Sequence, residues 1–289
     1  MRFPWGLSNV RFAIEALRPP EFIITGEARR SRQRGEDGLK SVRKRKNKTA
    51  YSTDGRREEK PGDIPPATRP AILFDLDGTL LDSNYEHVLA WRLALRREGI
   101  EIPNAFLHRC IGMRGDLLLK AAYKEVGRSV SGETKKRLDS LHKKYFEKTL
   151  SSVTPMPGSV RLLRTLTRCK ISWAIATGGD RNTVLRMIRS LPIPTAIPVI
   201  TADDVDHAKP EPDVFLAAAR QLRVRLSDCI VIGDSIWDLL GARRAKALGV
   251  GLLCGGYGET ELTQAGAYRV YKDPADLLDH LAEIGIPVE

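Results

Sequence analysis

Apolar residues are spaced in two different ways along this chain, and the change falls at Ala71. From Ala28 to Lys60 there is almost no periodic apolar pattern, whereas beyond Ala71 short continuous apolar runs alternate with amphipathic stretches. The runs at 71–74, 171–176, 199–201, 229–232, 250–253 and 268–270 predict strands. The stretches at 159–169, 181–191, 212–222, 235–247 and 275–284 predict helices. Apolar strands alternating with helices imply an α/β fold, a Rossmann-like parallel sheet covered on both faces. The first strand breaks this rhythm, because the next is not expected until Ile171. The gap carries helical pattern at about 85–98, 115–126 and 133–150, which predicts a helical domain inserted near the first strand. The resulting division is a basic extension over 1–69, an α/β core over 70–83 and 153–289, and a helical cap over 84–152.

Charge refines this division. The chain of 289 residues has a net charge of +11, which taken whole suggests a nucleic-acid binder. Residues 1–69, however, carry 17 Lys and Arg against 9 Asp and Glu, while the other 220 carry 30 against 27. The basicity therefore belongs to the first quarter, where runs such as Arg43-Lys44-Arg45-Lys46 offer too little apolar surface to offset the entropy of ordering. A disordered tail is expected there, and nucleic acid is not expected as the main partner. A composition of 42% hydrophobic and 29% charged residues rules out collagenous or wholly disordered chains. No apolar run approaches the roughly 18 residues of a membrane span, so no membrane partner is expected. Cys110, Cys169, Cys229 and Cys254 are dispersed, which points to reduced thiols in a cytoplasmic protein.

Every polar cluster of interest follows a predicted strand, at the edge where open α/β sheets place their sites. The first strand runs into Asp75-Leu76-Asp77-Gly78-Thr79, and the second into Thr177-Gly178-Gly179-Asp180. Lys209-Pro210 follows the third, and Gly233-Asp234-Ser235-Ile236-Trp237-Asp238 ends the fourth. Asp75 and Asp77 are two apart, a spacing that puts both side chains on one face of a regular strand, and Gly78 permits a sharp turn after them. Asp75, Asp234 and Asp238 supply hard oxygen ligands of the kind Mg²⁺ takes. With such an ion present, a carboxylate can approach a phosphate and attack it, forming an aspartyl-phosphate. Asp77 is placed to protonate the leaving oxygen and then to activate water. Thr177 and the amides of Gly178 and Gly179 can donate to phosphoryl oxygens, whose charge Lys209 offsets.

These motifs, in this order, resemble those of the haloacid dehalogenase superfamily, in the branch with a helical cap after the first motif. Phosphoglycolate phosphatases and β-phosphoglucomutase belong to that branch. The resemblance runs from Ala71 to the C-terminus and leaves the tail unexplained. It implies Asp75 as nucleophile, Asp77 as acid and base, and Thr177 and Lys209 as phosphate binders. It also implies Mg²⁺ held by Asp75, the Asp77 carbonyl and Asp234, with Asp238 in support. Asp77 argues against the dehalogenase and phosphonate-cleaving branches, which lack an acid there. Many relatives carry Ser or Asn where this chain has Gly178, which leaves that grip to backbone donors.

The loop Ile111-Gly112-Met113-Arg114-Gly115-Asp116 resembles the substrate-reading loop of β-phosphoglucomutase relatives, and Arg114 is expected to meet a second anionic group on the substrate. His87 and His108 are read as surface or interface residues and Trp91 as cap packing. The expected activity is a Mg²⁺-dependent phosphatase acting on a small phosphorylated metabolite, a sugar phosphate or phosphoglycolate. The alternatives are a phosphomutase of the same architecture and a nucleic-acid-associated protein using its basic tail. The sequence does not choose between monomer and dimer.

Overall fold

Strands apolar on both faces, with a more exposed strand at one edge, make the centre of the fold. The computed structural model describes residues 69–207 and 209–287. The extension expected over 1–69 lies, apart from Arg69, outside the described residues. The strands are β1 (Ala71–Phe74), β2 (Leu81–Asp82), β3 (Thr154–Pro155), β4 (Trp173–Ala176), β5 (Val199–Ile200), β6 (Cys229–Gly233), β7 (Leu248–Leu252) and β8 (Ala267–Tyr271). Six of them form one sheet in the order β5-β4-β1-β6-β7-β8, with every neighbouring pair parallel. The chain thus adopts the Rossmann-like α/β sheet its pattern implies.

Alternation along the strands sends side chains to two cores. Ile72, Phe74, Trp173, Ile175, Ile230 and Ile232 pack on one face with Leu162, Leu163 and Leu166 of α5 (Ser159–Arg168). Phe74 meets Trp173 edge to face, with ring centroids 6.2 Å apart. On the other face Ala71, Leu73, Ala174 and Val231 meet Val214, Phe215 and Ala218 of α7 (Asp213–Leu222) and Ala242 of α8 (Ile236–Ala245). Helix α6 (Arg181–Met187) begins at Asp180, whose carboxylate accepts from the Thr183 amide, and α10 (Pro274–Asp279) at Asp273, which accepts from Ala275 and Asp276.

Between β2 and β3 the chain forms α1 (Asn84–Arg96), α2 (Asn104–Cys110), α3 (Gly115–Glu125) and α4 (Gly132–Glu147). Helices α1 and α4 pack along one another, and Ser131 caps α4 by accepting from the Thr134 amide. No strand is predicted between Phe74 and Ile171, yet β2 and β3 lie in that gap. They pair antiparallel, Leu81 opposite Pro155 and Asp82 opposite Thr154, and so join the two crossings into and out of the helices. Two helices were also unforeseen: α2 and α9 (Glu259–Ala265), seven residues each. The four cysteines are free, and among the described residues no helix is long and apolar enough to cross a membrane.

Strand β1 has β4 on one side and β6 on the other, so the segments leaving β1, β4 and β6 part company at their carboxyl ends. That divergence opens a crevice at the switch point of the sheet.

Candidate active site

Asp75 is the first residue beyond β1 and remains tied to the sheet, its amide bonded to the Ile232 carbonyl at 2.9 Å. The strand then ends. The amides of Leu80 and Leu81 turn back to the Leu76 carbonyl, and Gly78 donates to Leu81 at 2.7 Å. Asp77 therefore sits in a tight loop rather than on a regular strand face, but its carboxylate lines the same cavity as Asp75. Gly78 has φ +81, and a Cβ there would fall 2.4 Å from Asp234 Oδ2. Only glycine makes this turn so near the carboxylate.

Beneath the crevice two acids converge on one lysine, with a third acid beside them. Lys209 Nζ lies 2.5 Å from Asp75 Oδ1 and 2.7 Å from Asp238 Oδ1, and all three side chains are buried. Asp238 Oδ2 accepts from the Ser235 amide and hydroxyl, so this residue both starts α8 and fixes the lysine. Asp234 accepts from Thr79 Oγ1 at 2.8 Å and from Asn84 Nδ2 at 3.0 Å. Burial pushes the Asp75 carboxyl well above its usual range, and repulsion from Asp238, Asp234 and Asp77 adds to this against the pull of Lys209. Burial and then Asp238 raise Asp234 to about 7. Burial works against the Lys209 ammonium, but Asp238 and Asp75 outweigh it and hold that pKa above its ordinary value.

One ligand oxygen from each of Asp75, Asp234 and Asp238 lies within 4.8 Å of the others. Three buried carboxylates facing one ammonium leave surplus negative charge, and their oxygens are the hard donors that a divalent cation takes. The donor set fits such an ion. Because folding raises the Asp75 and Asp234 pKa values, Asp234 to about 7, the cation-free folded chain binds more protons than the unfolded chain above the ordinary carboxylate range, and the stability these two groups contribute is lost as pH rises through their folded values. A cation displaces those protons. The Tm gained on adding Mg²⁺ after chelation is therefore expected to be larger at pH 8 than at pH 5.5, measured by thermal unfolding. An equal gain at both values would contradict the assignment of these acids to the ion.

Around the mouth, Thr177 Oγ1 lies 3.5 Å from Asp77 Oδ2 and accepts from the Gly179 amide at 3.1 Å. The Gly179 N–H, expected to serve a phosphoryl oxygen, is thus directed into its own turn, although Gly178 and Gly179 both line the cavity. Arg114 lines it too. Its Nε donates to Asp116 at 2.8 Å and its Nη1 to the Asp206 carbonyl at 3.1 Å, so part of its donor capacity is already engaged. The cavity has a volume of about 360 Å³, at the low end of the ~300–1,000 Å³ typical of small-ligand pockets. Its roof comes from α1, the α2–α3 loop, α3 and α4.

Sequence reasoning placed His87 at a surface or interface, but it reaches the site. His87 Nε2 is 3.1 Å from Asp77 Oδ1, and Ser83 Oγ donates to the same oxygen at 2.6 Å. Side chains in an α-helix tilt toward its N-terminus, so a histidine in the first turn of α1 points back at the loop that precedes it. His87 stacks on Phe146 at 4.0 Å, and its Nδ1 lies 3.1 Å from His142 Nε2, which stacks on Trp91. Burial, then His87 and Lys143, push His142 well below the ordinary imidazole value, leaving it neutral at pH 7. Burial also acts to raise Asp77, but the charge and hydrogen bond of His87, the Ser83 hydroxyl and Lys209 outweigh it, and Asp77 lies below its usual range. The clue in the sequence was the i, i+4 spacing of His87 and Trp91, which by itself reads as packing.

The chain and its fold have counterparts among known proteins. Residues 70–246 match the family model described as haloacid dehalogenase-like hydrolase. The chain is similar to hexitol phosphatase A of Escherichia coli, 30% identical over 57% of this chain and 74% of that protein. It is also similar to a phosphoglycolate phosphatase of Caulobacter vibrioides, 29% identical over 68% of this chain and 84% of the relative. Among solved structures, a hydrolase from Pseudomonas syringae superposes with a TM-score of 0.73 at 46% identity, covering 75% of this chain and all of the other.

Proposed function

Because the chain belongs to the haloacid dehalogenase-like hydrolase family, we propose that it is a Mg²⁺-dependent phosphatase for a small phosphorylated metabolite, of sugar-phosphate or phosphoglycolate type. The observation that carries this reading is the pair Asp75 and Asp77. One is buried against Lys209, the other is bonded to His87 and Ser83, and both open on one cavity.

In this reading an Asp75 oxygen attacks phosphorus as the bond to the alcohol oxygen breaks, and the leaving oxygen takes a proton from Asp77. Asp77 next removes a proton from water, whose oxygen attacks the aspartyl-phosphate. Inorganic phosphate departs and the Asp75 carboxylate returns. Lys209 keeps Asp75 oriented and offsets charge on the phosphoryl oxygens, and Thr177 and Gly178 donate to them. Mg²⁺ on Asp75, the Asp77 carbonyl and Asp234, with Asp238 in support, would supply the positive charge that lets an anionic nucleophile meet an anionic substrate. Arg114, at the rim, is assigned to the leaving group. The domain reading is kept with it: core over 70–83 and 153–289, cap over 84–152.

Purified protein with Mg²⁺ and a panel of sugar phosphates, polyol phosphates and phosphoglycolate tests the proposal by release of inorganic phosphate. Isomerised sugar phosphate without free phosphate would make the enzyme a mutase, and no phosphoryl transfer at all would refute the reading. A companion prediction concerns His87, which lowers the pKa of Asp77. In His87→Ala that pKa rises; Asp77 must be deprotonated to take the proton from water, so the ascending limb of the pH–rate profile moves to higher pH, and kcat falls by about tenfold, less than the ~10²–10⁴-fold that an acid–base group itself supplies. An unmoved limb would show that the histidine does not act on Asp77.

A further inference from the structure

Asn84 opens α1 and is only 4% exposed. Its Nδ2 donates to Asp234 Oδ2 at 3.0 Å and to the Gly255 carbonyl at 3.3 Å. Both partners are acceptors, which fixes the orientation of the amide, since reversal would set Oδ1 against two oxygens. The same Gly255 carbonyl lies 2.7 Å from Nε2 of His108, a residue of α2. A carbonyl only accepts, so that nitrogen carries hydrogen. The His108 ring is buried, stacked on Tyr85 at 5.3 Å and tilted against Tyr257 at 5.9 Å. Glycine is required at 255, because a Cβ there would stand 1.7 Å from Asp234 Oδ2. One backbone carbonyl, on a glycine packed against Asp234, is thus shared by a donor at the start of α1 and a donor on α2. Asn84 Oδ1 is buried without a hydrogen-bond partner, so a donor from outside the chain is needed to satisfy it. Water carried on a divalent cation is a donor of that kind.

We propose that Asn84 is a positioning residue for a divalent cation on Asp234, and that His108 secures it through the shared Gly255 carbonyl, so that the seating of α2 sets the affinity for the ion. The proposal rests on the reading of Asp234 as a cation ligand. Groups that orient a ligand without touching the metal typically govern affinity by ~10–100-fold.

The experiment is direct Mn²⁺ binding to the full chain without substrate, followed by electron paramagnetic resonance of the free ion. Asn84→Ala is expected to raise the Kd by about tenfold or more. His108→Ala is expected to raise it in the same direction, while His108→Gln, whose amide can donate at a similar reach, holds the parent affinity. Circular dichroism reports folding; if Asn84→Ala does not fold, the two His108 variants decide. Parent affinity in folded Asn84→Ala, or equal weakening in His108→Gln and His108→Ala, would overturn the proposal while leaving Asp234 as a ligand. Undiminished binding in Asp234→Asn would overturn both.

Discussion

Asp75→Asn is expected to lower phosphate release by at least about 10⁴-fold, the scale on which losing a covalent nucleophile registers. It is also expected to leave the fold intact. The carboxyl at 75 is buried, and its pKa is pushed up by that burial and by three neighbouring acids. An amide of the same shape removes a charge that the folded state holds at a cost, keeps an oxygen for Lys209 to bond, and leaves the ammonium paired with Asp238. Tm should therefore be equal to or above that of the parent, while turnover, followed as inorganic phosphate, disappears. Turnover at the parent rate would remove Asp75 from the chemistry. A collapse of Tm would show that its charge is needed by the fold.

Lys209→Met is expected to do the opposite, striking stability as hard as activity. Its ammonium is the cation between two buried carboxylates and also lies 5.2 Å from the Phe215 ring centroid. Removing one partner from a buried ionic cluster typically costs ~3–5 kcal/mol, because the remaining charges stay desolvated. For a chain of this size that is a fall in Tm of about 10 °C. The loss should be greater at pH 8 than at pH 5.5, since protonation relieves Asp75, and added Mg²⁺ should recover part of it by supplying the missing positive charge. A Tm within a degree or two of the parent at pH 8 would mean that the acids do not depend on the lysine.

How far the sequence foretold these features depends on the range of the physics involved. Strands β1, β4 and β6 are continuous apolar runs because both of their faces are covered, and that is visible in any window of the chain. Strands β2 and β3, two residues each, have no period to detect. Helix α2 starts after Pro103 without a side-chain cap, and α9, though Glu261 accepts from the Gly258 amide at its start, is only seven residues long, too short for a clear period. Strand β8, at the sheet edge, leaves Tyr268 about half exposed.

The same distinction holds at the site. Asp75, Asp77, Thr177, Asp234 and Asp238 each follow a strand closely, and Lys209 stands before a proline in the loop after β5, so all could be recognised locally. Thr79, Asn84 and His108 could not, since each acts on a partner some 150 positions away that only folding brings near. His87 was misjudged because only the folded loop shows that the first turn of α1 faces Asp77.

The paired crossings β2 and β3 bear on how such a protein is divided. Entry and exit strands run side by side, so a chain leaving at Asp82 and rejoining at Thr154 through a brief reverse turn retains every strand of the six-stranded sheet. The roof over the cavity is thus exchangeable without rewiring the sheet beneath it, provided the replacement returns partners to Asp77 and Asp234 in place of Ser83, Asn84 and His87.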